Sequence, residues 1–111
     1  MQKFSLDAIA RQQQTRASAA PAGRAAETVY GGSDCALRQT VVALRAGTEL
    51  AEHDNPGEAT VQVLQGRIRL VSAETSWEGR QGDLLVVPNA RHSVAAVTDA
   101  AIVLTVVKAR A

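Results

Sequence analysis

The sequence predicts an all-β fold, a sandwich or small barrel of short antiparallel strands, preceded by a short helical arm. From residue 27 onwards, short runs rich in valine, leucine and isoleucine are separated by Gly, Pro, Asn or Asp at intervals of roughly ten residues. Valine divides the chain at a similar place, since only Val29 lies in the first 40 residues and the other 12 valines follow. Strands favour β-branched side chains, so we expect the β domain to span residues 27–111.

The first 26 residues differ in composition and are expected to form the arm. Ser5 suits the N-cap of a helix, and Asp7 suits the positive end of the helix dipole. The predicted helix ends before Pro21, because proline does not continue a helix. One face of this helix carries Leu6, Ile9 and Ala10. We expect the arm, residues 1–26, to pack on the main body or on a second subunit.

Nine runs in the remaining chain fit short strands: residues 27–30, 37–44, 49–53, 58–64, 67–73, 76–79, 83–88, 92–97 and 100–108. In the run 67–73, alternation places Ile68 and Leu70 on one face of the strand and the intervening arginines on the other. We expect the two apolar residues to face the core. Trp77 is the only large aromatic residue in its run, and we expect it to fill space in the core.

The composition excludes several classes of protein. The formal net charge is +1, from 12 Lys and Arg against 11 Asp and Glu, so the overall charge favours neither nucleic acid nor an anionic membrane as partner. No apolar run approaches the roughly 18 residues of a membrane span, and residues 1–10 lack the order of a signal peptide. Cys35 is the only cysteine and fits a reducing compartment. We therefore expect a cytoplasmic protein with no membrane span.

Two segments that begin with glycine, residues 47–66 and 82–92, have a spacing of Gly, Pro and His residues in addition to the strand pattern. Together they resemble the two signature motifs of the cupin superfamily. The first motif has a Gly, a His-x-His pair, a Glu and a closing Gly, and three of its positions are matched by Gly47, His53 and Gly66. Gly82 and Pro88 match the second motif. The resemblance covers residues 36–108 and implies a jelly-roll cupin barrel, also called a double-stranded β-helix.

The metal-binding positions of the family are only partly present in this chain. Metal-bearing cupins hold a divalent transition metal with three His and one Glu, a donor set that suits Fe, Mn, Ni or Zn. His53 matches the first ligand, and Asn55 occupies the second His position. Ala59 occupies the Glu position. Glu58 is one residue out of register, so in a regular strand it would lie on the opposite face.

The last His position of the second motif depends on the length of a turn. Counted strictly from Gly82, the ligand position falls on Ser93, and His92 comes one residue early. The strand that follows fits the family pattern without a shift. A turn one residue shorter than in the family therefore leaves His92 at the ligand position.

Three interpretations of the two histidines remain open. His53 and His92 form a vestigial pair that lines a pocket and binds no metal. Alternatively, they belong to a working metal site that is completed by Glu58, through a bulge at Pro56 and Gly57, or by water and substrate. In the third interpretation they are two rim histidines with no joint role.

The resemblance leads to one preferred function and two alternatives. We expect a non-catalytic module that binds a small molecule without a cofactor, and we assign no catalytic residue. The expected ligand-binding residues are His53, Asn55, His92 and Arg91. The first alternative is a metal-dependent enzyme, of dioxygenase or isomerase class, that uses His53, His92 and Glu58. The second is a structural partner module. Small cupins of this kind usually form homodimers through edge strands, so we also expect a homodimer.

Overall fold

The computed structural model describes residues 1–53, 57–73 and 75–108, apart from the side chains of Glu52 and His53. Within these residues one helix is followed by nine strands, each of which overlaps one of the nine predicted runs. The elements are α1 (Leu6–Ala19), β1 (Arg24–Tyr30), β2 (Leu37–Leu44), β3 (Glu49–His53), β4 (Gly57–Gln65), β5 (Arg67–Ser72), β6 (Thr75–Arg80), β7 (Leu84–Val86), β8 (His92–Ala96) and β9 (Ala100–Lys108).

The strands form two antiparallel sheets whose inner faces meet. The larger sheet has the order β1-β2-β9-β4-β7, and the smaller sheet has the order β3-β8-β5-β6. Chain neighbours such as β2 and β3 therefore lie in different sheets, which is the connectivity of a jelly roll. The predicted jelly-roll fold is confirmed. Among the described residues no hydrogen-bonded ladder joins the two sheets. The resemblance predicted a closed barrel, whereas the structure is a sandwich of two open sheets.

Aliphatic side chains from both sheets fill the space between them. The larger core residues are Val42, Leu44, Val61, Val63, Ile68, Leu70, Val94 and Ile102. Ile68 and Leu70 are fully buried, as predicted, and the arginines that alternate with them are exposed. Trp77 is not a core residue, because its side chain is 46% exposed. Trp77 pairs with Leu70 and lies on β6, an edge strand of the smaller sheet. Because β6 is at the edge of the sheet, part of the indole ring is exposed to solvent.

Helix α1 covers part of the outer face of the larger sheet. The N–H group of Ala8 donates a hydrogen bond to Ser5 Oγ at 3.3 Å, which confirms the predicted N-cap. Ala10 is buried on the side of the helix that faces the sheet. It packs against Val41, Ala101 and Val103. The arm therefore packs on the main body, the first of the two expected placements.

The end of α1 is attached to the loop after β2. Arg45 Nη1 donates hydrogen bonds to the carbonyl oxygens of Ser18 and Ala20, at 3.2 and 3.3 Å. These contacts satisfy carbonyl groups that a helix end leaves without helical partners. The first strand then begins at Arg24, inside the range expected for the arm. In the described part of the chain no helix is both long and apolar enough to cross a membrane.

Candidate functional site

The candidate site lies at the start of β8, on the inner face of the smaller sheet. Val94 and Ala96 of this strand belong to the core between the sheets. His92 is two residues before Val94 and shares its face, and the side chain is only 3% exposed. Ser93 alternates to the outer face. The structure thus brings His92, and not Ser93, to the inner face.

The ring orientation of His92 is defined by a backbone contact. His92 Nδ1 lies 3.1 Å from the carbonyl oxygen of Ala90. A carbonyl oxygen only accepts hydrogen bonds, so Nδ1 carries the proton. In the neutral ring the lone pair is then on Nε2, the atom that can accept a hydrogen bond or ligate a metal.

An irregularity in β3 determines which residue lies opposite His92. Leu50, which packs against the core, is the partner of Val94, and His53 is the partner of His92. Between these two pairs β3 has one residue more than β8, as in a β-bulge. Without the extra residue, the strand would bring the residue before His53 to this position. The shift therefore makes His53 and His92 direct cross-strand neighbours.

Sequence reasoning missed one polar residue of the inner face, Ser72. It is the partner of His92 on β5, and its side chain is buried. Ser72 follows Ile68 and Leu70 in the same alternation, so the spacing of the two predicted core residues already pointed to it. One residue from each of three neighbouring strands makes up what we call the polar row: His53, His92 and Ser72.

The structure does not bring Glu58 to the inner face. Ala59 is buried in the core, whereas Glu58 is exposed and lies on the outer face as the partner of Val107. The ladder between β4 and β9 runs without a shift from Gly57 to Val63, so no bulge within it moves Glu58 inwards. The family's carboxylate position thus carries only the methyl group of Ala59.

The other two expected ligand-binding residues are Asn55 and Arg91. Asn55 lies outside the described residues. Arg91 is exposed and directly precedes β8, after a turn in which the N–H group of Ala90 donates to the carbonyl oxygen of Pro88 at 2.8 Å. Arg91 is thus next to the polar row in sequence and at the surface, where a guanidinium group can contact an incoming anion.

The donor atoms of this face do not fit the metal centre of the family. The described side chains near the start of β8 supply one imidazole and one hydroxyl group, and Ala59 supplies no donor. Within the described side chains, no group of three or more His, Cys, Asp or Glu residues could hold a metal ion. Late transition metals bind best to sites with several imidazole, thiolate or carboxylate ligands.

The fold is similar to those of several solved structures. A conserved protein of unknown function from Streptococcus pyogenes has 27% identity and a TM-score of 0.73, with 83% of this chain and 80% of that chain covered. An RmlC-like cupin protein from Desulfovibrio desulfuricans has 27% identity and a TM-score of 0.66, with 76% and 81% covered. Salicylate 1,2-dioxygenase from Pseudoaminobacter salicylatoxidans has 25% identity and a TM-score of 0.74. The similarity covers 88% of this chain but only 33% of the dioxygenase chain.

No protein-family model and no curated protein matches the sequence. The assignment of a family therefore rests on the fold, on the two motifs that begin with glycine and on the similar structures. Two similar structures of more than 25% identity are named as cupins, the RmlC-like protein from Desulfovibrio desulfuricans and a cupin 2 conserved barrel domain protein from Leptotrichia buccalis, with 26% identity and a TM-score of 0.69. These similarities support the assignment of the chain to the cupin superfamily.

Proposed function

We propose that this protein binds a small molecule between its two sheets, at the polar row, without catalysing a reaction and without a resident metal. The observation that carries the proposal is the burial of His92 on an otherwise apolar inner face, opposite His53 in the ladder. The proposed ligand-binding residues are His53, Asn55, His92, Arg91 and Ser72.

The chemistry of these residues favours a ligand with a carboxylate group and a small apolar body. A few polar groups on a mostly apolar face are typical of a small-molecule site, and His92 and Ser72 are such groups. The Ser72 hydroxyl group and the Arg91 guanidinium group are donors for a carboxylate. The core around them consists of Val, Leu, Ile and Ala side chains, which suit the apolar body.

The alternative is a metal-dependent enzyme of dioxygenase or isomerase class that uses His53, His92 and Glu58. The backbone pairing of the two histidines favours it, because imidazole groups are common ligands of transition metals. The similarity to a dioxygenase also keeps this class under consideration. Against it stands Glu58, which lies on the outer face.

One experiment separates the two functions, because His53 and His92 are the only histidines of the chain. We expect proton–nitrogen spectra of the imidazole rings to show saturable shifts on titration with benzoate, and much smaller shifts with benzyl alcohol, which lacks the charge. The His92→Ala variant should lose the benzoate response. Protein purified without an affinity tag should contain no stoichiometric metal and should bind Fe(II), Mn(II), Ni(II) and Zn(II) no more tightly than micromolar.

Glu58→Ala is the matched control in this experiment, and it should change neither response. Stoichiometric metal that is lost in both His53→Ala and His92→Ala would contradict the metal-free proposal. Loss of that metal in Glu58→Ala would establish the alternative ligand set. If benzoate shifts neither imidazole, binding of a carboxylate at the polar row is wrong.

We further propose that the protein is a cytoplasmic homodimer and that the dimer forms through the outer face of the larger sheet. Helix α1 covers only part of this face. Beyond the helix, the alternation of three strands, β2, β7 and β9, leaves apolar residues exposed on it: Leu37, Leu84, Val86 and Val107. Leu84 and Val86 are 62% and 72% exposed on β7, the edge strand. Thr and Gln side chains lie between them, and Glu58 lies beside Val107. Such a mainly apolar surface can pair with a second copy of itself about a twofold axis.

The Val86→Lys variant is expected to be monomeric in light scattering, because two lysines would be buried close together across the twofold axis. Val97→Lys is the matched control, since Val97 is an exposed valine in the turn after β8. It should leave the mass of the dimer unchanged. A monomeric parent protein, or equal masses for Val86→Lys and the parent, would refute dimerisation through this face.

A further inference from the structure

We infer that the cleft between the edges of β1 and β3 is a second binding site, and that its ligand is a small amphipathic carboxylate. β1 is one edge strand of the larger sheet, and β3 is one edge strand of the smaller sheet. The cleft between them has a volume of about 550 Å³. This inference goes beyond the proposed function, because His92 and Ser72, the polar-row residues whose side chains are described, do not line the cleft.

The walls of the cleft are apolar. Val42 and Leu104 contribute from the larger sheet and Leu50 from the smaller sheet, and all three also contact the core. The remaining apolar lining is small, which leaves space for a ligand: Ala25, Ala26 and Ala51. Ligand sites of small molecules typically have volumes of about 300–1,000 Å³ and mostly apolar walls, so both the size and the lining suit a short hydrocarbon chain.

Arg24 supplies the charge that selects the head group. It is the only charged residue among the described residues that line the cleft. Its Nη1 atom donates to the carbonyl oxygen of Glu49 on β3 at 3.5 Å, a long hydrogen bond that directs the guanidinium group across the gap between the sheets. A guanidinium group has five N–H donors in a planar fork, and this geometry matches a carboxylate.

The combination of one cation and an aliphatic lining excludes other ligand classes. Arg24 would repel a cation. An inorganic anion could pair with Arg24, but it has no apolar group to contact the walls of the cleft. A neutral alcohol of the same length would fill the walls but would forgo the charge-assisted hydrogen bonds. Hexanoate has both required parts, so it is the probe that we choose.

The test is a calorimetric titration of the full-length protein with hexanoate, acetate and 1-hexanol, accompanied by backbone amide spectra. We expect hexanoate to bind and to shift the amides of Ala25, Ala26 and Leu50. Acetate lacks the chain and hexanol lacks the charge, so both should bind at least about tenfold more weakly. Arg24→Gln should weaken hexanoate binding at least about tenfold, and Arg24→Lys should weaken it less.

Two further variants define the position of the ligand. Ala26→Leu adds bulk inside the cleft and should weaken hexanoate binding. Arg67→Gln removes an exposed arginine from the smaller sheet and should have no effect. His92→Ala should also leave hexanoate affinity unchanged, because His92 does not line the cleft.

Three results would overturn this inference. The first is the absence of saturable hexanoate binding at concentrations well above about 1 mM. The second is an equal affinity for hexanoate and hexanol. The third is binding that is lost in His92→Ala but retained in Arg24→Gln, which would assign the carboxylate to the polar row and so support the proposed function while eliminating the second site.

Discussion

Replacement of Gly66 by alanine is expected to lower the free energy of unfolding by about 3 kcal/mol. Gly66 joins β4 to β5 with φ of +77°, a left-handed conformation that costs a residue with a Cβ atom roughly 1–2 kcal/mol. A Cβ atom at this position would also overlap the carbonyl oxygen of Asp99 and lie 2.9 Å from Ala100 Cα. Both obstacles are backbone atoms, so rotation of a side chain cannot relieve the overlap.

Two other glycines allow the conformational effect to be separated from the overlap. Gly47 and Gly82 have φ of +85° and +92°, and a Cβ atom at either would meet nothing within 4 Å. Alanine at Gly82 should therefore lower stability by only the roughly 1–2 kcal/mol of the left-handed conformation. Urea unfolding of the variants measures the difference. Equal losses in Gly66→Ala and Gly82→Ala would show that the close approach to the turn before β9 has no energetic role.

The Ile102→Ala variant is expected to lose about 3–4 kcal/mol of stability, the usual range for a large cavity in a packed core. Ile102 is fully buried in β9, which pairs with strands on both sides. Its partners are Val42 on β2 and Val63 on β4, both core residues. Loss of its side chain therefore leaves a cavity bounded by aliphatic groups of the same sheet and of the facing sheet, where the neighbours have little freedom to fill it.

A graded series on β9 tests this expectation. Ile102→Val removes one methyl group and should cost about 1 kcal/mol. Val107→Ala, on the partly exposed outer face of the same strand, should cost no more than about 0.5 kcal/mol. The midpoints of urea unfolding should follow this order. A loss in Val107→Ala as large as that in Ile102→Ala would mean that the inner face of β9 is not the centre of the core.

The fold was predictable from local patterns because strand alternation and turn residues are local properties. The nine runs, the Ser5 cap and the inward orientation of Ile68 and Leu70 all follow from residues within a few positions of one another. Trp77 illustrates the limit. Its run indicates a strand, but whether that strand is central or at an edge depends on pairings made by distant segments.

The candidate site was predictable only in part, because a single extra residue changes which face a strand presents. The motif spacing identified His53 and His92, and the alternation of β5 contained the signal for Ser72. The irregularity between Leu50 and His53 had no such signal, since the strand has neither Gly nor Pro there. The alternation around Ala59 was sufficient to predict the outward orientation of Glu58.

Trp77 can serve as an intrinsic fluorescence probe because of its position. It is the only tryptophan, and it lies beside Leu84 and Val86 at the edge where β6 and β7 approach each other. Its emission therefore depends on the polarity of that edge and not on the centre of the molecule. Association of two copies that covers β7 would shift the emission to shorter wavelengths, whereas a carboxylate bound near Arg24 would leave it unchanged. A single unlabelled optical signal can thus distinguish self-association from ligand binding.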